Sequence, residues 1–586
     1  MSIINANSGG IFFTADNSGN VAISSNGVIG VTVPTNGGII ISSWSTSSRP
    51  LSPSDGQVGF NTDLNTLEQY DGSSWIGLGK VLSIPEYNFL VNTGNPNITS
   101  TSCNNIAIGQ NAGYELTTGD FNNFLGCRAG SCNTTGSNNN FFGRSAGQSN
   151  TSGSHNNFFG CWAGLCNLTG GCNNFFGCWA GICNTTGSHN NFLGRGAGAG
   201  NLTGSHNNFF GCLSGQVNTS GSNNNFIGQR AGVCNTTGSY NNFFGLCAGF
   251  SNTTGSYNVF AGFCAGVCNT TGSNNNFFGI RAGCGNISGS YNNFFGRDAG
   301  QRNTTGTGNN FIGRFAGICS LIGSYNNFLG RSSGFNNNSG CYNNFLGRSA
   351  GFYNSSGSHN NFLGREAGFN NNTGSCNNFF GYYSARCNTT GSNNNYFGLC
   401  SGCSNTSGSN NNFFGLRSGL CNTTGSNNLL FGCCSGVGSI GLCNITTESN
   451  HIIMGNSSHT NALIQVAWTA VSDIRDKCVF GPVPYGKNFL NNVNPISFSF
   501  KNRETDIVTD TKKRYGFSAQ ELLQLEGDQP VLVGKDNPEK LMITTDYLIP
   551  ILVNAIKELS SDVEKLMPLI DEVNTLKEKI KILENK

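Results

Sequence analysis

The sequence predicts a mainly β protein, a long parallel β-solenoid built of 17-residue repeats followed by a small α+β domain that ends in a coiled coil. Three observations carry this expectation. The string Asn-Asn-Phe-Phe-Gly returns at a fixed 17-residue interval through the middle of the chain. Glycine (84 of 586 residues) and phenylalanine (44) are in excess while proline is only 12, a composition that rules out collagen and a proline-rich linker. Charge changes abruptly at residue 472: residues 1–471 hold 26 Asp, Glu, Lys and Arg and residues 472–586 hold 34, together the 60 of the chain. A chain of this length exceeds one ordinary core, so several domains or one elongated repeat body are expected. The boundaries read from the sequence are an N-terminal β module at 1–102, a solenoid at 103–440, a transition at 441–471 and a C-terminal domain at 472–586, with the coiled coil at 551–584.

The repeat is the strongest signal. Its leading aromatic recurs as Phe124, Phe141 and Phe158, runs on at the same interval to Phe379, and continues as Tyr396, Phe413 and Leu430; Ala107 extends it backwards. Twenty copies from about 104 to 440 follow without an inserted or deleted residue. A 17-residue unit has no room for a helix, a strand and two turns, and its apolar spacing lacks the 3.6-residue period, so each copy reads as one rung of a parallel solenoid. Glycine stands two places after the leading position in every copy, as in Gly126 and Gly432, marking a corner that needs positive φ or close backbone approach. Asn-Thr-Thr-Gly-Ser is turn chemistry. With about 4.8 Å per rung, twenty copies make a rod on the order of 90 Å long. The Phe column should fill the interior, the small residues Ala129, Ala146 and Ala163 should sit where the coil narrows, and the Asn pairs should bond from rung to rung. The degenerate end copies, at 106–109 and 429–432, are placed to act as caps.

Other residues follow the same register. Cys132, Cys166, Cys183, Cys234, Cys268, Cys319, Cys387 and Cys421 all lie eight places after the leading position. Ser, Gly, Val, Tyr or Asn replaces them in neighbouring copies, and the 25 cysteines contain no paired zinc-site spacing, so they read as reduced, buried packing residues with no metal. His155, His189, His206 and His359 share one turn position and read as turn variants. Sequons at Asn133, Asn184 and Asn235 are explained equally by turn chemistry and by glycosylation in a secretory compartment. Arg297, Arg314, Arg331, Arg348 and Arg365 form a stripe, read as a solubility device.

In the N-terminal module, Gly56, Phe60, Asn61, Thr62, Tyr70, Asp71, Gly72, Ser73 and Trp75 resemble a small β-hairpin module common in phage and viral tail-fibre proteins. That resemblance implies strands and turns and names no ligand.

The C-terminal domain carries an a/d seam of alternating fours and threes through Leu552, Ile556, Leu559, Val563, Leu566, Ile570 and Val573, the pattern of a supercoiled helix. Pro568 interrupts it, which predicts a kink or break near 564–568. Upstream, Ser472-Asp473-Ile474-Arg475-Asp476-Lys477 is followed by Asn494, Pro495, Phe498 and Phe500, by Gly516-Phe517-Ser518-Ala519-Gln520-Glu521, and by Asp546-Tyr547-Leu548-Ile549-Pro550. In this order they resemble the endosialidase-type intramolecular chaperone family found at the C-termini of tail spikes and fibres. The resemblance implies a homotrimer whose chaperone cuts itself off at Val471–Ser472, with Ser472 as nucleophile, Lys477 as general base, and Asp473, Arg475, Gln520 and Glu521 in support. Ser and Lys five apart share neither a helix face nor a strand face, so a turn must bring them together. No histidine occurs between 472 and 586, which excludes a Ser-His-Asp triad within this domain and leaves lysine as the available base. Lysine titrates ordinarily near 10.4, so burial or nearby cations must favour its neutral form before it can take a serine proton.

The whole is expected to be a structural viral fibre or spike-like protein of the virion, made in the host cytoplasm, a single-turnover autoproteolytic serine peptidase with no cofactor. The alternative is a surface adhesin or glycan-binding fibre whose chaperone does not cleave. Host surface glycan or receptor is the external partner considered, through Trp162, Trp179 and neighbouring Tyr residues. A net charge of +2 gives no reason to expect nucleic acid. A polar, uncharged N-terminus and the lack of any stretch of about 18 apolar residues predict neither signal peptide nor membrane insertion. A turnover glycosidase needs paired carboxylates, and acids are sparse in the repeats, with Glu115, Asp120, Asp298 and Glu366 the main ones.

Overall fold

The computed structural model describes residues 12–15, 21–25, 28–33, 40–41, 43–64, 66–77, 88–91, 102–437, 445–456, 458–459, 463, 465, 472–501, 506–508, 512–528, 530–535 and 541–585. The chain forms two compact units, Met1–Asn360 and Asn361–Lys586.

The first unit opens with two small sheets. Phe12–Ala15, Val21–Ser25, Val28–Val33 and Ile40–Ile41 form one antiparallel sheet. Ser43–Trp44, Val58–Asn61, Thr66–Tyr70 and Trp75–Gly77 form the next. The Tyr-Asp-Gly-Ser stretch is the turn of its last hairpin: the Asp71 carboxylate accepts from the backbone N–H groups of Ser73 (2.8 Å) and Ser74 (2.7 Å), and Gly72 takes φ +91°. Trp44 is buried against Trp75, and a Cβ on Gly59 would lie 1.8 Å from the Trp44 ring, so only glycine lets the indole lie across that strand. The Trp44 indole N–H, the Asn61 amide and the Arg49 guanidinium all donate to the buried Glu68 carboxylate. Burial alone would raise the Glu68 pKa, but the Arg49, Asn61 and Trp44 hydrogen bonds outweigh it and hold the carboxyl below its ordinary value.

The solenoid follows. From Phe89–Val91 to Asn344–Leu346, sixteen three-residue strands stack parallel and in register. Every leading aromatic from Phe124 to Phe345 is fully buried, with neighbouring rings about 4.7–5.1 Å apart, the spacing of hydrogen-bonded strands. The alanine or serine five places on is also buried, as at Ala129 and Ser214, as the narrow end of the coil requires. At the glycine corner the chain takes φ near +138°, as at Gly143, where a Cβ would lie 2.5 Å from the Gly160 carbonyl oxygen of the next rung. Left-handed turns recur at Asn138, His155, Tyr240 and their equivalents (φ near +60°), which explains why the histidines share one position.

Three asparagine ladders supply the polar half of the fold. The Asn122 side-chain oxygen accepts the Asn139 backbone N–H (3.0 Å), while the Asn139 amide donates to the Gly153 carbonyl (2.9 Å). A second buried ladder links the Asn150 amide to Asn133 Oδ1 (2.6 Å). An outer one links the Asn123 amide to Asn140 Oδ1 (2.7 Å). Buried backbone polar groups need partners, and these amides give them at every turn. The cysteines depart from expectation: every described one is half-buried or exposed and none is in the core. The interior is already filled by Phe, Ala and Asn, so the cysteine positions fall on the outer wall.

In the second unit, six parallel strands stack from Asn361–Leu363 to Ile452–Met454. The last pairing, Leu430 with Ile453, reaches further along the chain than one repeat because a longer loop intervenes. Parallel pairing thus extends one strand beyond the twenty copies at each end. The C-terminal domain has helices α1 (Lys487–Leu490), α2 (Ala519–Glu526) and α3 (Leu548–Glu584) and two short antiparallel pairs, Pro495–Phe498 with Arg514–Phe517 and Val533–Gly534 with Met542–Ile543. Leu522, Leu532, Val533, Leu548 and Ile551 form its core. Of the kink or break expected near 564–568, the break does not occur: α3 runs through Pro568 as one helix of 37 residues. A proline costs one helical hydrogen bond, and the good helix formers on both sides carry the helix across. Among the described residues no helix is long and apolar enough to cross a membrane.

Candidate active site

The turn that the Ser472–Lys477 spacing demands is present. Asp473 caps a single 3₁₀ turn, Ile474–Asp476, its carboxylate accepting the Arg475 backbone N–H at 2.9 Å. Backbone bonds from Asp476 to the Asp473 carbonyl and from Lys477 to the Ile474 carbonyl, both 3.2 Å, close the turn. The chain doubles back and the Lys477 ammonium donates to the Ser472 hydroxyl. The charged lysine is the donor in this contact. A neutral one would offer its lone pair to the same hydroxyl proton, which is the arrangement a general base needs.

Asp473 and Arg475 hold this turn rather than touch the hydroxyl. The Arg475 Nε donates to both carboxylate oxygens of Asp473, at 3.1 and 3.0 Å. The hydrogen bonds from the Arg475 side chain and then its backbone lower the Asp473 pKa, and Asp473 raises that of Arg475. Val471, the other side of the expected scissile bond, lies outside the described residues. Ser472 and Lys477 are both exposed, so the burial expected to favour a neutral lysine is not supplied by a single chain.

Gln520 and Glu521 open α2, where the Ser518 hydroxyl caps the helix by accepting the Glu521 backbone N–H at 3.3 Å. Among the described residues no hydrogen bond or ion pair joins either side chain to Ser472 or Lys477. A polar element that sequence reading missed lies at the other end of α2: the buried Glu526 carboxylate accepts the backbone N–H groups of Val531 and Leu532 (both 2.8 Å) and Val533 (3.1 Å). It pins the loop that lines an apolar cavity with Val483, Tyr485, Tyr547 and Ile551. The second glutamate of the helix AQELLQLE carries no sequence sign of this role. Lys487 of α1 pairs with Asp562 of α3, and its backbone N–H donates to Glu558 (2.7 Å), fastening the domain to its helix.

Among the described residues no group of three or more His, Cys, Asp or Glu is placed to hold a metal ion. Residues 472–532 match the family model described as chaperone of endosialidase. The match begins at Ser472. No curated protein and no solved structure matches the chain.

Proposed function

We propose that this chain, a β-solenoid carrying a chaperone-of-endosialidase segment at residues 472–532, is a viral fibre or spike-like protein. It assembles as a homotrimer around its C-terminal domain and then cuts itself at Val471–Ser472. One observation carries the reading: Ser472, the first residue of the family match, is hydrogen bonded to Lys477 across a turn built by Asp473 and Arg475.

In the proposed reaction Lys477, neutral once assembly has removed water from the dyad, takes the Ser472 hydroxyl proton. The Ser472 oxygen attacks the Val471 carbonyl carbon, and the intramolecular geometry supplies the proximity. The Val471–Ser472 C–N bond breaks, the proton returns from Lys477 to the departing amine, and Val471 is held as an ester on Ser472. Water then hydrolyses that ester, giving a carboxylate at Val471 and a free Ser472. The dyad works once per chain because its product ends the chain that held it.

The repeats supply a reason for such a chaperone. Successive rungs are nearly identical, so three chains can slip by one whole repeat at little cost, and a terminal domain that trimerises first fixes the register. The seam of α3 supports this: Ile556, Leu559, Val563, Leu566 and Ile570 are 49–64 % exposed in the single chain, an apolar stripe that a coiled coil would cover. The assembly step is tested by expressing residues 1–471 alone beside the full chain. Soluble trimer is expected from the full chain only, and an equal yield of soluble trimer from 1–471 contradicts the reading. A second reading, a glycan-binding fibre, is favoured by Trp162 and Trp179, stacked at 6.0 Å under Arg144 and Arg195.

A further inference from the structure

The strand of each rung has two apolar positions. The leading one fills the interior; the next points the opposite way, out of the sheet. In the first unit that outer position is Ile108, Leu125, Phe142, Phe159, Phe176 and so on to Leu346, apolar in all fifteen rungs, with Ala261 its one small member. Ten of these side chains are 37–43 % exposed, and the outer rings stack upon one another, Phe142 on Phe159 at 4.7 Å and Phe278 on Phe295 at 4.9 Å.

At roughly 200 Å² per large side chain, the exposed parts of this column sum to roughly 1,000 Å². The largest apolar patch on an ordinary monomer is about 300–600 Å², and a stable interface covers about 800 Å² on each partner. The flanks suit burial too. On one side runs the outer asparagine ladder, broken only where Val259 takes its position, with amides bonded to the next rung as Asn140 to Asn157 at 2.7 Å. On the other, beyond the glycine corner, Arg144, Arg195, Arg297 and Arg314 put charge beside the apolar centre at some rungs, while the exposed Leu246, Phe263 and Ile280 widen the apolar surface at others.

We infer that this outer column is the face along which the solenoids of three copies of this chain pack on one another, column against column, in the assembled fibre. The inference rests on the trimeric reading above and deepens it by naming the surface. A second copy is the occupant the geometry selects. Its column rises by the same strand spacing at every rung, so parallel copies in register present the same ring to the same ring along the whole contact. A partner with any other repeat would lose that match within a few rungs.

The test places the photo-crosslinking residue benzoyl-phenylalanine in the full chain at Phe244 or Phe278, in the column, and at Thr254 or Thr271, on an exposed turn of the same unit. Native mass is measured first. Trimers that give at least about tenfold more covalent dimer and trimer from positions 244 and 278 than from 254 and 271 support the inference. Trimers that crosslink at the turn as readily as at the column, or at neither, overturn it while leaving the trimeric reading intact; in that outcome the column faces solvent or a receptor. Monomers overturn both.

Discussion

Between Asn133 and Asn354, Ser320 is the one residue at which the second buried asparagine ladder is interrupted. It occupies the position of Asn303 in the preceding rung and Asn337 in the next, is fully buried, and leaves both its own hydroxyl and the Asn303 Oδ1 without a hydrogen-bond partner. Leaving such groups unpaired costs about 1–3 kcal/mol. Ser320→Asn should restore the bonds to both neighbours and stabilise the solenoid by about 1–2 kcal/mol, read as a higher midpoint of denaturant unfolding at unchanged slope. The converse holds at the glycine corners. A Cβ on Gly262, at φ +143°, would lie 2.4 Å from the next carbonyl oxygen, and such strain is not relieved by a flexible side chain. The periodic glycines, asparagines and aromatics were legible because a repeat writes the same demand twenty times. The orphan at Ser320 was not, since a single serine looks like ordinary turn variation until the ladder is seen to be internal. The cysteine column misled for a related reason: register shows that a position repeats, not which side of the wall it faces.

At the scale of elements, the second N-terminal sheet depends on one carboxylate. The folded pKa of Glu68 is depressed, so its contribution to stability is present above the ordinary glutamate range near 4.3 and is lost as pH falls through the folded value. The sheet should therefore loosen on acidification, seen as earlier loss of the Trp44 and Trp75 fluorescence signal, and Glu68→Gln should remove most of that pH dependence. Helix α3 makes the second element-level prediction. Leu559→Asp with Val563→Asp, both on an exposed seam and neither in the domain core, should leave the helical circular-dichroism signal of the full chain nearly intact while shifting the proposed trimer towards monomer. The heptads foretold the helix, but not its continuity through Pro568, because a local rule weighs one lost hydrogen bond and cannot see 37 residues of helix around it. In the C-terminal domain the Ser472–Lys477 turn was legible as a necessity of spacing. The loop-pinning role of Glu526 depends on contacts between separate segments that no local pattern encodes.

At the scale of the whole molecule, a repeat body whose register is ambiguous by one rung is joined to a terminal domain that, on the proposed reading, removes the ambiguity and then leaves. The dyad is exposed in a single chain, so cleavage is expected to follow assembly, and the seam variant above should remain uncut. The most direct measurement of self-cleavage after assembly is the intact mass of the purified full chain and of its Ser472→Ala and Lys477→Ala variants. Two products are predicted from the unaltered chain, residues 1–471 and a fragment beginning at Ser472 and ending at Lys586, and a single uncut chain from each variant. An uncut chain in trimers of the unaltered protein, or the same fragment from Ser472→Ala, would contradict it.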